Sequence, residues 1–194
     1  MYELFTTMDV LCPECRSKLV PCRQTINIDG MNVYALYWYN EGMSALMHRI
    51  KSLYDESLVK VFHNDLRFAL AWKYRKSCKV CVPSSSQRTQ KRGFHAVQGM
   101  FKPWDVLDVF VKEDVKQSLN SAQDRRRIAD AIQLKHANRC AHPHVLLVDD
   151  VCTTGSSLKA CHDLLKNEEN RVSIVVLALH TSWDRNGSLT IKKK

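Results

Sequence analysis

The sequence predicts an α/β domain whose central sheet is parallel and flanked by helices, with a small cysteine-containing segment and a β-hairpin in front. Three observations lead there. The apolar runs at 145–148 and 171–179 read as buried strands, and the amphipathic stretch at 156–165 between them supplies the crossover helix that a parallel pair requires. A further buried strand is expected at 78–82, ended by Pro83. The first forty residues differ in character, because they hold three cysteines and an Asp-Gly turn signal.

Taken in order, Cys12, Cys15 and Cys22 open a segment poor in apolar residues. Asp29-Gly30 then sits between alternating apolar residues across 26–39, the strongest short-range hairpin signal. Leu46, Met47, Ile50 and Leu53 recur at helical spacing over 43–53, as do Val61, Phe62, Leu66, Ala69 and Leu70 over 58–74, so both stretches are expected as amphipathic helices. After the strand at 78–82 come a polar loop at 84–92, a helix from 93 to about 101 and a strand at 106–111. A helix is expected at 120–134, with Arg125, Arg126 and Arg127 exposed near its start, and Lys192 to Lys194 form a frayed end. These elements divide the chain into a segment 1–40 and an α/β domain 41–194.

Composition narrows the function classes. With 45% hydrophobic and 25% charged residues the chain is that of a globular protein, which excludes a disordered, collagenous or coiled-coil one. The longest apolar runs, 68–72 and 174–179, fall far short of the ~20 residues of a membrane-spanning helix, so no membrane insertion is expected. Eight cysteines are too few for a disulfide scaffold of this size, and the first ten residues lack the basic and apolar regions of an export signal. A reduced, cytoplasmic setting follows.

Lysine and arginine number 29 against 20 aspartates and glutamates. The surplus has a location: residues 66–104 contain no acid and nine bases, Arg67, Lys73, Arg75, Lys76, Lys79, Arg88, Lys91, Arg92 and Lys102. Such a window is either a solvated helix face or a wall for an anionic ligand.

The most informative stretch is an apolar strand, then Asp149-Asp150, then Cys152, Thr153, Thr154, Gly155 and Ser156 at the start of a helix. A loop that leaves a parallel strand and opens a helix exposes unpaired N–H groups in a field that favours phosphate. Gly155 permits close approach, and the hydroxyls add donors. No Gly-Lys-Ser/Thr is present, so this is not a P-loop of the nucleotide triphosphatases. Two carboxylates would repel that phosphate; they suit sugar hydroxyls or an assisting Mg²⁺. The expected ligand contains ribose and phosphate. At the other end of such a ligand, Ser84, Ser85, Arg88, Lys91, Arg92 and Gly93 follow a strand end and suit a diphosphate.

These residues resemble the phosphoribosyl-diphosphate (PRPP) signature of type I phosphoribosyltransferases. The resemblance implies their Rossmann-type parallel sheet, contact of Asp149 and Asp150 with the ribose hydroxyls, and a 5′-phosphate loop at Cys152 through Ser156. Val82-Pro83, Arg88 and Lys91-Arg92-Gly93-Phe94 narrow it to the ComF family, whose motif continues Asn-Gln where His95 and Ala96 stand here. Lys51 and Asp55 resemble that family's upstream lysine stretch, and Gln117 and Arg125 its flexible loop, although Ile128 and Ala129 replace the asparagine that usually follows. The resemblance implies a part in competence and DNA uptake, with single-stranded DNA and other DNA-processing proteins as partners and PRPP with Mg²⁺ as ligand. It also implies an N-terminal zinc ribbon. Here Cys12, Cys15 and Cys22 supply three thiolates and Thr25 takes the expected fourth position, so a Zn²⁺ ligand remains unassigned.

Cys78 and Cys81 share ligand-like spacing but lie in a buried strand and read as core. Cys152 has no identifiable base, and His142 and His144 read as loop residues. Two functions are therefore expected from one site. One is a DNA-handling competence factor that retains a ribose-phosphate pocket, with Trp72, Tyr74, Phe94, Phe101 and Trp104 as rings that either stack on bases or fill the core. The other is a working phosphoribosyltransferase that uses PRPP and Mg²⁺ in nucleobase or nucleotide metabolism.

Overall fold

The computed structural model describes residues 9–67, 69–112, 131–135, 142–166 and 170–183. Its centre is a five-stranded sheet in the order β1-β2-β7-β6-β3, formed by β1 (Pro21–Ile28), β2 (Met31–Tyr39), β3 (Cys78–Cys81), β6 (His144–Cys152) and β7 (Arg171–His180). β2, β7, β6 and β3 run parallel, while β1 returns antiparallel from the hairpin. This is the mixed α/β architecture with a mostly parallel sheet that the sequence predicts, consistent with a type I phosphoribosyltransferase-like fold. Asp29 and Gly30 both have positive φ, as the tight hairpin turn demands. Because β2 pairs with β7 from Val33↔Ile174 to Tyr39↔His180, the hairpin and the residues beyond 40 share one sheet.

Alternation along β6 and β7 divides the core. Leu146, Val148, Val175 and Leu177 face a layer made by α2 (Glu41–Lys51), the 3-10 segment Glu56–Phe62, α3 (His63–Arg67) and α6 (Ala96–Met100). Val145, Leu147, Ile174 and Val176 face the helix α7 (Ser156–Leu165) and a small antiparallel pair, β4 (Phe110–Lys112) with β5 (Ile132–Leu134). Both faces of the central strands are thereby buried, which is why they read as continuous apolar runs.

Several elements depart from the sequence expectation. The helix expected over 58–74 is instead the 3-10 segment, α3 and α4 (Ala69–Lys73). Leu58, Val59, Val61 and Phe62 are all buried, a width of apolar surface that one α-helical stripe does not cover, and Val59 packs directly on Gly99. The polar loop expected at 84–92 contains the helix α5 (Ser86–Arg92), closed by Gly93 at φ 83°. It buries no residue, so it carries no apolar period from which it could be read. The helix expected at 120–134 ends as strand β5, where Ile132 is buried opposite Lys112 in the β4 ladder; residues 120–130 lie outside the described residues. The helix expected from 93 begins at Ala96, capped by His95. No helix among the described residues is long and apolar enough to cross a membrane.

Candidate functional site

The carboxyl ends of β6 and β3 lie side by side. Cys81 pairs with Val148, and the Val82 N–H donates to the Val148 carbonyl at 2.9 Å. The segments leaving these strands are therefore neighbours: Asp149 to Ser156 from one, Ser84 to Gly93 from the other. Ligands of open α/β sheets bind at such strand ends.

β6 continues through Cys152, so the acid pair lies on the strand and not in the loop. The pleat sends adjacent side chains to opposite faces. Asp150, 7% exposed, turns to the α2 layer, where Lys51 Nζ meets its Oδ2 at 2.7 Å. Asp149 turns to the α7 and β4 layer, where its charge adds to burial in raising the Cys161 thiol, while Lys51 first and Lys112 more weakly draw its own proton affinity down. Its Oδ1 accepts the Asp150 backbone N–H at 2.9 Å. Burial, followed by the negative charge of Asp150, nevertheless pushes the Asp149 carboxyl up to about 7. One acid is thus held by a lysine, and the other is poised between its two protonation states at neutral pH.

The following turn is built for close approach. Gly155 has φ 75°, and a Cβ there would stand 3.2 Å from Ile28 Cγ2 in the hairpin. Its carbonyl accepts the Lys159 N–H, the first bond of α7. Thr153 and Thr154 are exposed, and the Thr154 and Ser156 hydroxyls lie 3.0 Å apart. Trp183, which is buried, donates its indole N–H to the Thr153 carbonyl at 2.6 Å and pins the loop from the end of β7. Cys152 differs from its neighbours: its side chain is in the core, and burial pushes its thiol up to about 12. Its place in this loop is therefore a matter of backbone, and a thiolate nucleophile there is disfavoured.

On the β3 side, Ser84 and Ser85 are partly exposed between the strand and α5. Arg88 is exposed on α5, and Arg92 at its last position lies 5.7 Å from the Phe94 ring. His95 follows α5 at the cap of α6, with its Nε2 4.0 Å from Asp108 Oδ2. Lys51 is recognisable from the sequence only through resemblance, and Asp55 pairs with Arg49 at 3.0 Å, away from the acid pair. His95, Asp108 and Trp183 carry no sequence signal of a role, since each enters the site through tertiary contact. Gln117 and Arg125 lie outside the described residues.

The three N-terminal cysteines are not brought together. Cys12 and Cys15 are exposed at the start of α1 (Pro13–Ser17), with the Cys15 N–H 3.5 Å from Cys12 Sγ, while Cys22 is buried in the second core layer. Among the described residues no three His, Cys, Asp or Glu side chains form a group that could hold a metal ion, so this arrangement does not fit a structural zinc.

Residues 105–193 match the phosphoribosyl transferase domain family. Competence protein ComFC of Streptococcus pneumoniae is 26% identical over 163 residues, covering 83% of this chain and 71% of that protein.

Proposed function

Taking the chain as a phosphoribosyltransferase-like protein of the ComF family, we propose that it holds PRPP or a related ribose phosphate at the β3 and β6 strand ends and serves competence by handling incoming single-stranded DNA in the cytoplasm. The observation that carries the pocket is the acid pair joined to a positive-φ glycine and a hydroxyl loop, directly beside the Ser84 to Gly93 segment. The loop hydroxyls and the opening N–H groups of α7 receive the 5′-phosphate. Asp149 and Asp150 accept from the ribose hydroxyls, and Ser84, Ser85, Arg88 and Arg92 face the diphosphate. Mg²⁺, when bound with the ligand, supplies neutralisation of the diphosphate charge. Asp150 already bonds Lys51, so Asp149 is the carboxylate that would hold it.

For DNA, one side chain is favoured among the five candidate rings. Trp72 is 70% exposed, with the Arg75 guanidinium 4.0 Å from its ring centre, whereas Tyr74, Phe101 and Trp104 are buried. A flat ring backed by a cation in an acid-free stretch suits a base stacked against a phosphate backbone. All seven cysteines described are free, which suits a reduced compartment.

The transferase reading is supported by the placement of the acid pair on β6, whose end lies beside the β3 end that leads into the Ser84 to Gly93 segment. Titration calorimetry with PRPP and Mg²⁺, on the wild type and on an Asp149→Asn, Asp150→Asn double variant, tests the pocket; absent binding by the wild type refutes it. Diphosphate release in the presence of nucleobases would establish transfer. Single-stranded DNA binding should weaken with salt, with a log-log slope of about −0.7 per neutralised phosphate, and salt-independent binding would refute the DNA role.

A further inference from the structure

Of the seven cysteines described, two are exposed, and they stand three residues apart on one turn: Cys12 and Cys15. The other five are buried or partly so. The ribose-phosphate pocket uses neither exposed thiol, and with Cys22 turned into the core the pair makes no metal group among the described residues.

Local sequence builds the turn that carries them. Cys12 caps α1 with extended backbone, Pro13 sets the first helical φ, and the Arg16 N–H closes the turn on the Cys12 carbonyl at 3.0 Å. The Cys15 N–H reaches Cys12 Sγ at 3.5 Å, which folds the Cys12 side chain back over the turn toward Cys15. An N–H aimed at a sulfur favours negative charge on it, so Cys12 is the better thiolate of the two. The acidities agree: the Cys15 N–H and then the Cys15 thiol hold Cys12 below the usual thiol range, while Cys12 holds Cys15 above it. The turn is also tethered. Arg16, directly after Cys15, donates from Nη2 to the Val61 carbonyl at 2.9 Å and from Nε to Asp9 at 2.5 Å. Two thiols are thus presented to solvent side by side from a fixed turn.

We propose that Cys12 and Cys15 are a reversible redox site, a dithiol that a low-molecular-weight disulfide of the glutathione type converts to an internal disulfide. The Cys12 thiolate attacks one sulfur of that co-reactant; a mixed disulfide forms and the other half leaves as a thiolate. Cys15, having given its proton to solvent, then attacks Cys12 Sγ, and the second half leaves as a thiolate that solvent protonates. Two protein thiols lose two electrons, and the small disulfide is reduced to two thiols. Exposure admits the co-reactant, and a resolving thiol on the same turn makes the adduct short-lived. In a reduced compartment a disulfide of this kind is transient. The site does not depend on the ribose-phosphate reading.

The test incubates the full chain with oxidised glutathione, alkylates the remaining thiols, digests with trypsin and maps the peptides by mass spectrometry. Cys12 and Cys15 share one tryptic peptide, residues 1–16, which holds no other cysteine. In the wild type this peptide should lose two hydrogens, carry neither glutathione nor an alkyl group, and return to the dithiol in excess reduced glutathione. Cys15→Ser should stop at a glutathione adduct on Cys12, and Cys12→Ser should gain its adduct on Cys15 at least about threefold more slowly. Equal rates in the two variants overturn Cys12 as the attacking thiol. A wild-type peptide that ends with glutathione on either cysteine, or that stays open to alkylation at both, overturns the proposal. So does stoichiometric Zn²⁺ in the purified protein that blocks the reaction until a chelator removes it. Should a serine variant fail to fold, the wild-type peptide alone decides.

Discussion

Asp149→Asn should stabilise the protein at alkaline pH and leave it nearly unchanged in acid. Burial and the neighbouring Asp150 charge raise the carboxyl from 3.8 to about 7 in the folded state. Between pH 4 and 7 the native protein keeps this proton while the unfolded chain has released it. Stability therefore falls as pH rises across that window, by about 1.4 kcal/mol per pH unit. The total is on the order of 4 kcal/mol, present in full below pH 4 and lost in full above pH 7. An amide in the same place does not ionise. Urea unfolding of both proteins from pH 4 to 8, followed by circular dichroism, isolates the effect, because titrating groups remote from Asp149 cancel in the difference. The variant should gain on the wild type steadily from pH 4 to 7 and hold a constant lead above. A difference that is flat across the range, or one that grows in favour of the wild type, refutes the assignment of a raised carboxyl to Asp149.

Lys51→Met should cost about 2–3 kcal/mol in urea unfolding at pH 7, because it strands the buried Asp150 carboxylate; the partial exposure of Lys51 keeps this at or below the low end of the ~3–5 kcal/mol of a fully buried pair. Gly155→Ala combines a positive φ with a 3.2 Å approach to Ile28, and a loss of about 1–2 kcal/mol should appear as a fall in Tm of roughly 2–8 °C. Trp72→Ala should leave stability within about 0.5 kcal/mol and weaken single-stranded DNA binding, measured by fluorescence anisotropy, by about 1–3 kcal/mol. In the native protein Cys12 and Cys15 should react with a thiol reagent at once, while Cys81, Cys152 and Cys161, buried and with raised pKa values, react only on the timescale of unfolding.

What is legible in the linear chain is whatever has a local cause. The hairpin turn needs positive φ at two successive residues, and Asp29-Gly30 states this directly. The apolar runs of β6 and β7 announce burial on both faces, and the strand, acid pair, glycine and hydroxyl loop are consecutive residues whose order is itself the signal. Helix α5 was hidden because it buries nothing, and the 3-10 segment because its apolar residues serve two neighbouring helices at once.

Tertiary structure decided the rest. Asp149 and Asp150 look equivalent in sequence, yet the strand carries them onto the pleat, one buried against Lys51 and the other to a partly exposed position where desolvation and the Asp150 charge raise its pKa. Three cysteines that look like one cluster are divided between surface and core. His95 reads as a departure from a motif until the fold makes it the cap of α6. In each case the sequence determines which chemical groups are present and their local conformation. Their charge state and partners depend on the dielectric and the neighbours that only packing supplies.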